Sequence, residues 1–254
     1  MIIVHYSPTG NAAYLAALLG REFEDSKVYA LEHTEIKSLE ESEHLVIFFA
    51  IHAFNAPGTV GKFLEQMGPK QFKAVSLIGV GCNTSWINMA ASKDLRKIVE
   101  SKGGHVVVDE VMAMPLTFIL SFPETVIEDQ LTTADETIKD IAVAIRNGKE
   151  SKSEIPLKAH LIQRIGQAEP FAARFFGLEL HAKKSCIQCG LCVRECPVKN
   201  IKMTDEGKIK FGFKCTMCMR CIYDCPTKAI TPRISKFIPI KEGYSIKRHT
   251  PMGE

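Results

Sequence analysis

Eight of the nine cysteines in this 254-residue chain lie between positions 186 and 225, in two runs of identical spacing. The first is Cys186-x2-Cys189-x2-Cys192-x3-Cys196-Pro197, and the second is Cys215-x2-Cys218-x2-Cys221-x3-Cys225-Pro226. The second copy begins 29 residues after the first, and the repeat outlasts the cysteines: Val198-Lys199-Asn200-Ile201 is answered by Thr227-Lys228-Ala229-Ile230. Three thiolates spaced by two can wrap one face of a 4Fe-4S cubane, while the following Cys-Pro points toward a second cluster. The spacing therefore predicts crossed ligand sets. Cys186, Cys189, Cys192 and Cys225 would hold one cluster; Cys215, Cys218, Cys221 and Cys196 would hold the other. Each proline removes a backbone N–H and stops any helix through its ligand, turning the chain back. Zinc also uses Cys-x2-Cys pairs, but a tetrahedral site needs four thiolates and has no use for this series repeated twice.

The cysteine stretch, about residues 181–232, resembles the bacterial two-cluster ferredoxins. It would form a small α+β domain. About 180 residues stand in front of it, enough for one larger domain at about 100 to 200 residues each.

That larger part opens on an apolar run, residues 1–6, followed by Ser7-Pro8-Thr9-Gly10-Asn11 and then the helical spacing Ala13, Leu15, Ala16, Leu18, Leu19. A strand, a tight loop and a helix start are expected. The loop offers hydroxyls from Ser7 and Thr9, an amide from Asn11, a permissive Gly10 and the unpaired N–H groups of a helix N-terminus, a set suited to phosphate. It holds no Lys or Arg. An ordinary N-cap by Thr9 or Asn11 is the plainer use of the same residues. A neutral cradle of this kind resembles the flavodoxin loop that holds the phosphate of FMN, although this chain has Pro8 where an N–H residue and Ala12 where a hydroxyl residue is usual. The Gly-Lys-Ser/Thr of a Walker A loop is missing, and so is the G-x-G-x-x-G of dinucleotide folds.

Strands are expected at residues 27–31, 45–51, 75–80 and 106–108, with helices at 59–67, 87–101 and 131–146. Residues 45–51 are continuously apolar, as in a strand buried on both faces. Five strands with right-handed crossovers predict an α/β doubly wound parallel sheet in the flavodoxin-like order 2-1-3-4-5, with ligands beyond the carboxyl ends of the strands.

Four loops lie at that end. In the loop at 52–58, Ala53, Phe54 and Asn55 could face a flavin: Phe54 is either a stacking ring or a core side chain, and His52 either exchanges a proton or is solvated. The loop at 81–86 offers the amides of Gly81, Cys82 and Asn83 for a pyrimidine edge, and Trp86, the only tryptophan, which could instead staple the next helix. Cys82 lies outside both cysteine runs. Residues 114–118 either cap the ring or meet the second domain.

The polar, breaker-rich segment at 147–156 ends the first domain near residue 148. Residues 149–180 are expected to be a linker of two short helices parted by Gly166, with Phe171, Phe175, Phe176 and Leu178 as an apolar docking face. Residues 233–254 form a basic tail.

A domain of the flavodoxin type followed by a two-cluster ferredoxin resembles the bacterial and archaeal flavodoxin–ferredoxin fusion family along nearly the whole chain. Gly207-Lys208-Ile209-Lys210-Phe211 leading into the second cysteine run, and the Met114-Pro115 loop, are also similar to that family. The resemblance implies FMN and two 4Fe-4S clusters in one electron-transfer polypeptide. Such a protein relays electrons to redox protein partners, within one chain or across a homodimer. A reductase of a small oxidant, and a flavin-free redox or iron sensor, are the other classes the residues admit. No catalytic triad, carboxylate pair or nucleophilic cysteine stands out.

Residues 1–180 hold 17 Lys and Arg against 23 Asp and Glu, whereas residues 181–254 hold 15 against 6. Two oxidised clusters at about −2 each leave the second part positive. This basic face either balances the clusters or steers an acidic redox partner. Without aromatics interleaved among the basic residues, it does not suit nucleic acid. No apolar run reaches the about 20 residues of a membrane span. With thiols in metal-ligand spacing and no basic-then-apolar leader, a reducing cytoplasmic and anaerobic setting is expected.

Overall fold

The computed structural model describes residues 1–40 and 42–250, so the end of the basic tail, residues 251–254, lies outside the described residues. The chain divides into two compact units, Met1–Pro115 with Pro123–Gln167, and Leu116–Phe122 with Ala168–Glu254.

The first unit is a parallel sheet with helices. Its elements are β1 (Ile2–Tyr6), α1 (Asn11–Arg21), β2 (Lys27–Ala30), β3 (Ser42–Ala50), α2 (Gly58–Glu65), β4 (Phe72–Gly81), α3 (Lys93–Ser101), β5 (His105–Ala113), α4 (Glu124–Arg146), β6 (Ser151–Lys152) and α5 (Leu157–Gly166). The strand order is β2-β1-β3-β4-β5-β6, parallel at every pairing. This is the flavodoxin-like order with one strand more than the sequence suggests. The added β6 is two polar residues, Ser151 and Lys152, within the stretch expected to be linker, and so short a polar pair carries no alternation to betray it. It follows α4 and lies beside Val108 and Asp109.

The apolar run of β3 becomes the centre of the core. Leu45, Val46, Ile47, Phe48 and Phe49 are each fully buried, because helices cover both faces of a parallel sheet. One hydrophobic cluster joins Val4, Tyr6, Ile47, Phe49 and Leu77 to Leu64 of α2 and Leu95 of α3. Rigid strands thus carry the loops at their carboxyl ends.

The second unit has α6 (Glu169–Glu179), β7 (Leu180–Ala182), α7 (Leu191–Arg194), β8 (Ile201–Met203), β9 (Ile209–Phe211), α8 (Arg220–Tyr223) and β10 (Ile230–Pro232). Antiparallel pairs β7–β10 and β8–β9 frame the cysteines. Residues read as tail fold onto this frame. Ile240, Tyr244 and Ile246 are buried, the Ile240 N–H donates to Tyr223 Oη at 2.9 Å, and Tyr223 Oη–H donates to the Thr117 carbonyl at 2.7 Å. Segment 116–122 is held here too, with the Ile119 N–H on the Ile238 carbonyl.

Candidate functional site

The loop after β1 turns on Gly10, whose φ of 102° lies in the left-handed region that glycine enters without strain. α1 then starts at Asn11 with no acidic residue in its first turn, leaving the positive end of the helix uncompensated. Ala13 N–H donates to Ser7 Oγ at 2.9 Å, and Tyr14 N–H closes the first helical turn on the Gly10 carbonyl. The earlier amides have no place in the helical ladder. The structure gives the side chains of this loop different tasks. Asn11 Nδ2 donates to the Pro115 carbonyl at 2.9 Å, tying the loop to the end of β5, while Pro8 and Ala12 are buried and Thr9 is half-exposed.

The loop after β3 is a tight turn. His52 and Asn55 exchange backbone hydrogen bonds at 2.9 Å each way, and the two residues between them, Ala53 (φ 41°) and Phe54 (φ 66°), both adopt left-handed conformations. This is the turn geometry usually given to Asn-Gly; Ala and Phe hold it at a cost of about 1 to 3 kcal/mol each. Its surroundings fix it. Asn55 Nδ2 donates to the Ala53 carbonyl at 2.8 Å and to the Gln163 carbonyl of α5 at 3.0 Å. Gly166 at the end of α5 lies so close that a Cβ there would stand 1.8 Å from the Ala53 oxygen. Phe54 is half-buried and no part of the core. His52 packs edge-on to Tyr6, and burial lowers its pKa to about 4, so it is neutral at pH 7.

In the loop after β4, Asn83 Oδ1 accepts from the Ser85 N–H, and Asn88 Nδ2 donates to the Asn83 carbonyl. Gln130 of α4 donates to the Cys82 carbonyl at 3.0 Å, and the Gly81 carbonyl accepts from Met114 N–H. Trp86 opens a short 3-10 turn, with the Lys158 ammonium 4.2 Å from its ring centroid. One face of the indole is thus covered by α5. Sequence reasoning missed this role of α5, because nothing in the spacing of residues 157–166 says which loops they touch.

In the second unit the 29-residue repeat extends to the backbone. Left-handed residues recur in register: Gln188 and Met217, Gly190 and Met219, Lys199 and Lys228. α7 and α8 start just after Gly190 and Met219. The Asn200 N–H donates to Cys196 Sγ at 3.2 Å, and the Ala229 N–H donates to Cys225 Sγ at 3.3 Å.

Two cavities open within this frame. One is lined by Cys186, Cys189, Cys192 and Cys225, with Leu191, Ile209 and Ile230 among its walls. The other is lined by Cys196, Cys215, Cys218 and Cys221, with Phe176, Ile201 and Ile222. The structure brings the thiols together in the crossed combination, one Cys-Pro cysteine crossing to each side. Among the described residues no group of three or more His, Cys, Asp or Glu side chains converges on a single ion position. Apart from their thiols, both linings are mostly apolar.

The thiols differ in their environment. Burial pushes the Cys215 thiol up to about 12 and raises Cys221 well above the ordinary thiol value, with neighbouring cysteines adding to the rise. Cys225 differs. Burial works to raise it, but the Ala229 N–H, the Thr227 hydroxyl and further backbone amides together hold it below the ordinary value.

A family model described as a 4Fe-4S dicluster domain matches residues 179–226. Among solved structures, the chain is similar to a flavodoxin from the domain Archaea, at 17% identity over 57% of this chain and 97% of that one, with a TM-score of 0.41. It is also similar to Fusobacterium nucleatum flavodoxin bound to flavin mononucleotide, at 18% identity over 59% of this chain and 97% of that one, with a TM-score of 0.43. No curated protein matches the chain. The strand order and the cysteine unit define the class: a flavodoxin-like α/β unit followed by a 4Fe-4S dicluster domain. Eight cysteines between 186 and 225 fit two 4Fe-4S clusters, and a redox domain of this kind implies partners in electron transfer. Among the described residues no helix is long and apolar enough to cross a membrane.

Proposed function

We propose that this protein relays electrons between FMN and two 4Fe-4S clusters, and between these and external redox proteins. The sorting of eight cysteines into two crossed sets of four carries the reading. When bound, clusters pass single electrons while FMN holds one or two, so their combination converts between one- and two-electron steps. Cys186, Cys189, Cys192 and Cys225 hold one cluster, and Cys196, Cys215, Cys218 and Cys221 the other. The amides of Asn200 and Ala229 stabilise the negative sulfurs of the two crossing ligands.

In the first unit, the bend at Gly10 and the start of α1 bind the FMN phosphate through backbone amides and the Thr9 hydroxyl, with Ser7 and Asn11 shaping the loop rather than counter-charging it. The 53–55 turn and the Gly81, Cys82 and Asn83 backbone face the ring's polar edge, and Phe54 or Trp86 its flank. Burial lowers the pKa of His52 to about 4, so this half-buried ring brings no charge to the loop. A cytoplasmic, anaerobic setting goes with this chemistry.

Anaerobic reconstitution tests the reading: about eight iron and eight sulfide per chain, with one FMN, are expected. Four iron or stoichiometric zinc would defeat it. Thr9→Val should weaken FMN binding several-fold, and unchanged affinity would remove the phosphate-loop assignment. Two observations favour a flavin-free sensor instead: the Asn11 amide is turned to Pro115, and Ala12 is buried. Protein that stays colourless at the flavin wavelengths with excess FMN would select that second reading.

A further inference from the structure

The two cluster cavities are built by a repeat, yet matching positions carry different polar side chains: Thr227 answers Val198 beside Cys225, and in the other cavity Asn200 answers Ala229. Asn200 and Ala229 occupy matching places, four residues after Cys196 and Cys225, and both are buried. Their backbone N–H groups do the same work on the two cysteines. Their side chains do not. Ala229 ends at a methyl group, whereas Asn200 lines the cavity shared with Cys196, Cys215, Cys218 and Cys221.

The orientation of the Asn200 amide is forced. Its Oδ1 accepts from the Lys214 N–H at 2.6 Å, and Lys214 N can only donate, so the oxygen must face that way. The Asn200 carbonyl accepts from the Gly212 N–H, and a Cβ on Gly212 would stand 3.1 Å from Oδ1, which fixes the strand end against it. Nδ2 is left on the other side, buried and without a hydrogen-bond partner among the described residues. A buried amide left unpaired costs about 1 to 3 kcal/mol. The group that lining of four thiols is shaped to hold presents sulfurs, which accept hydrogen bonds.

We infer that Asn200 Nδ2 donates a hydrogen bond to a sulfur of the cluster held by Cys196, Cys215, Cys218 and Cys221, and thereby raises that cluster's potential. The inference rests on the cluster assignment above. Reduction adds negative charge to the cluster, and a donor aimed at its sulfur stabilises the reduced form more than the oxidised one. The twin site has alanine at the matching position, so it has no carboxamide there; the Thr227 hydroxyl lies 3.7 Å from its Cys225 Sγ instead. Asn200 thus tunes the potential of its own cluster and not that of the other.

The test uses the full chain reconstituted anaerobically, with iron and sulfide counted on each sample and both cluster potentials followed by EPR-monitored redox titration. Asn200→Ala should lower one of the two potentials and leave the other in place. Asn200→Gln keeps a carboxamide N–H and should retain more of that potential than Asn200→Ala or the similarly sized Asn200→Leu, whereas a merely structural role would not follow the presence of the donor. Protein labelled with 15N in asparagine side chains should show nitrogen coupling to one reduced cluster, lost in Asn200→Ala. Eight irons with unmoved potentials, or both potentials shifting together, would overturn the Asn200 inference alone. Fewer than eight irons in the unaltered protein would overturn the cluster assignment beneath it.

Discussion

Gly177 of α6 lies against Cys215 so closely that a Cβ on the glycine would stand 2.3 Å from the cysteine Cβ. The helix can pass only because nothing projects from it there. Gly177→Ala should therefore displace Cys215, not merely crowd it. We expect iron in the reconstituted variant to fall from about eight toward about four per chain while the other cluster survives. Iron and sulfide analysis with EPR of the reduced protein checks this; full occupancy of both sites would show that α6 yields freely.

Crossed ligation makes a prediction that uncrossed ligation does not. Cys196→Ala should damage the cluster of Cys215, Cys218 and Cys221, although residue 196 lies in the first run; Cys225→Ala should damage the cluster of Cys186, Cys189 and Cys192. Combining Gly177→Ala with Cys196→Ala should then cost no more iron than either alone, since both strike one site. Additive loss of both clusters would contradict the assignment.

In the first unit, Gly166 holds the strained turn at Ala53 and Phe54. Gly166→Ala forces either α5 or the turn to retreat. Overpacking of this kind costs about 1 to 3 kcal/mol. The variant should melt earlier and bind FMN several-fold more weakly, measured by thermal denaturation and flavin titration. Unchanged FMN affinity alongside lowered stability would separate the turn from the flavin pocket.

How much of this could be seen beforehand follows from which interactions are local. Cysteine spacing alone predicts the two sets of four that line the cavities, and the apolar runs mark β1, β3 and β4 because buried parallel strands need continuous hydrophobics. The residues that lock the loops were not legible. Gly166 looks like a helix breaker in sequence, yet its place is set by contact with Ala53, over a hundred positions earlier. The Asn11 amide, a candidate phosphate ligand in sequence, donates to the Pro115 carbonyl, a partner over a hundred positions away. β6 was invisible because two polar residues pair on the strength of backbone geometry alone. Residues 233–250 looked like a basic tail, but Ile240, Tyr244 and Ile246 sit at irregular spacing and reveal their burial only once Tyr223 is in place.

Acid should weaken the first unit through His44. Its Nε2 lies 2.7 Å from the buried Ser76 Oγ between β3 and β4, and burial lowers its pKa from 6.5 to about 4. The folded form binds the proton less well than the unfolded chain, so the stability contributed by neutral His44 is full above about pH 6.5 and is lost as pH falls toward about 4. Urea midpoints should fall over that window, and His44→Gln should flatten the slope. A slope identical in the variant would assign the acid sensitivity elsewhere.

The central claim is that flavin and clusters exchange electrons within a single assembly. The direct measurement is rapid-mixing spectroscopy: chains carrying clusters and FMN are given less than one electron equivalent of reductant, and cluster and flavin bands are followed together. The account predicts redistribution between the two at a rate that does not change with protein concentration, and its disappearance in the double variant Cys196→Ala, Cys225→Ala. A rate that rises in proportion to concentration, or no exchange at all, would contradict it.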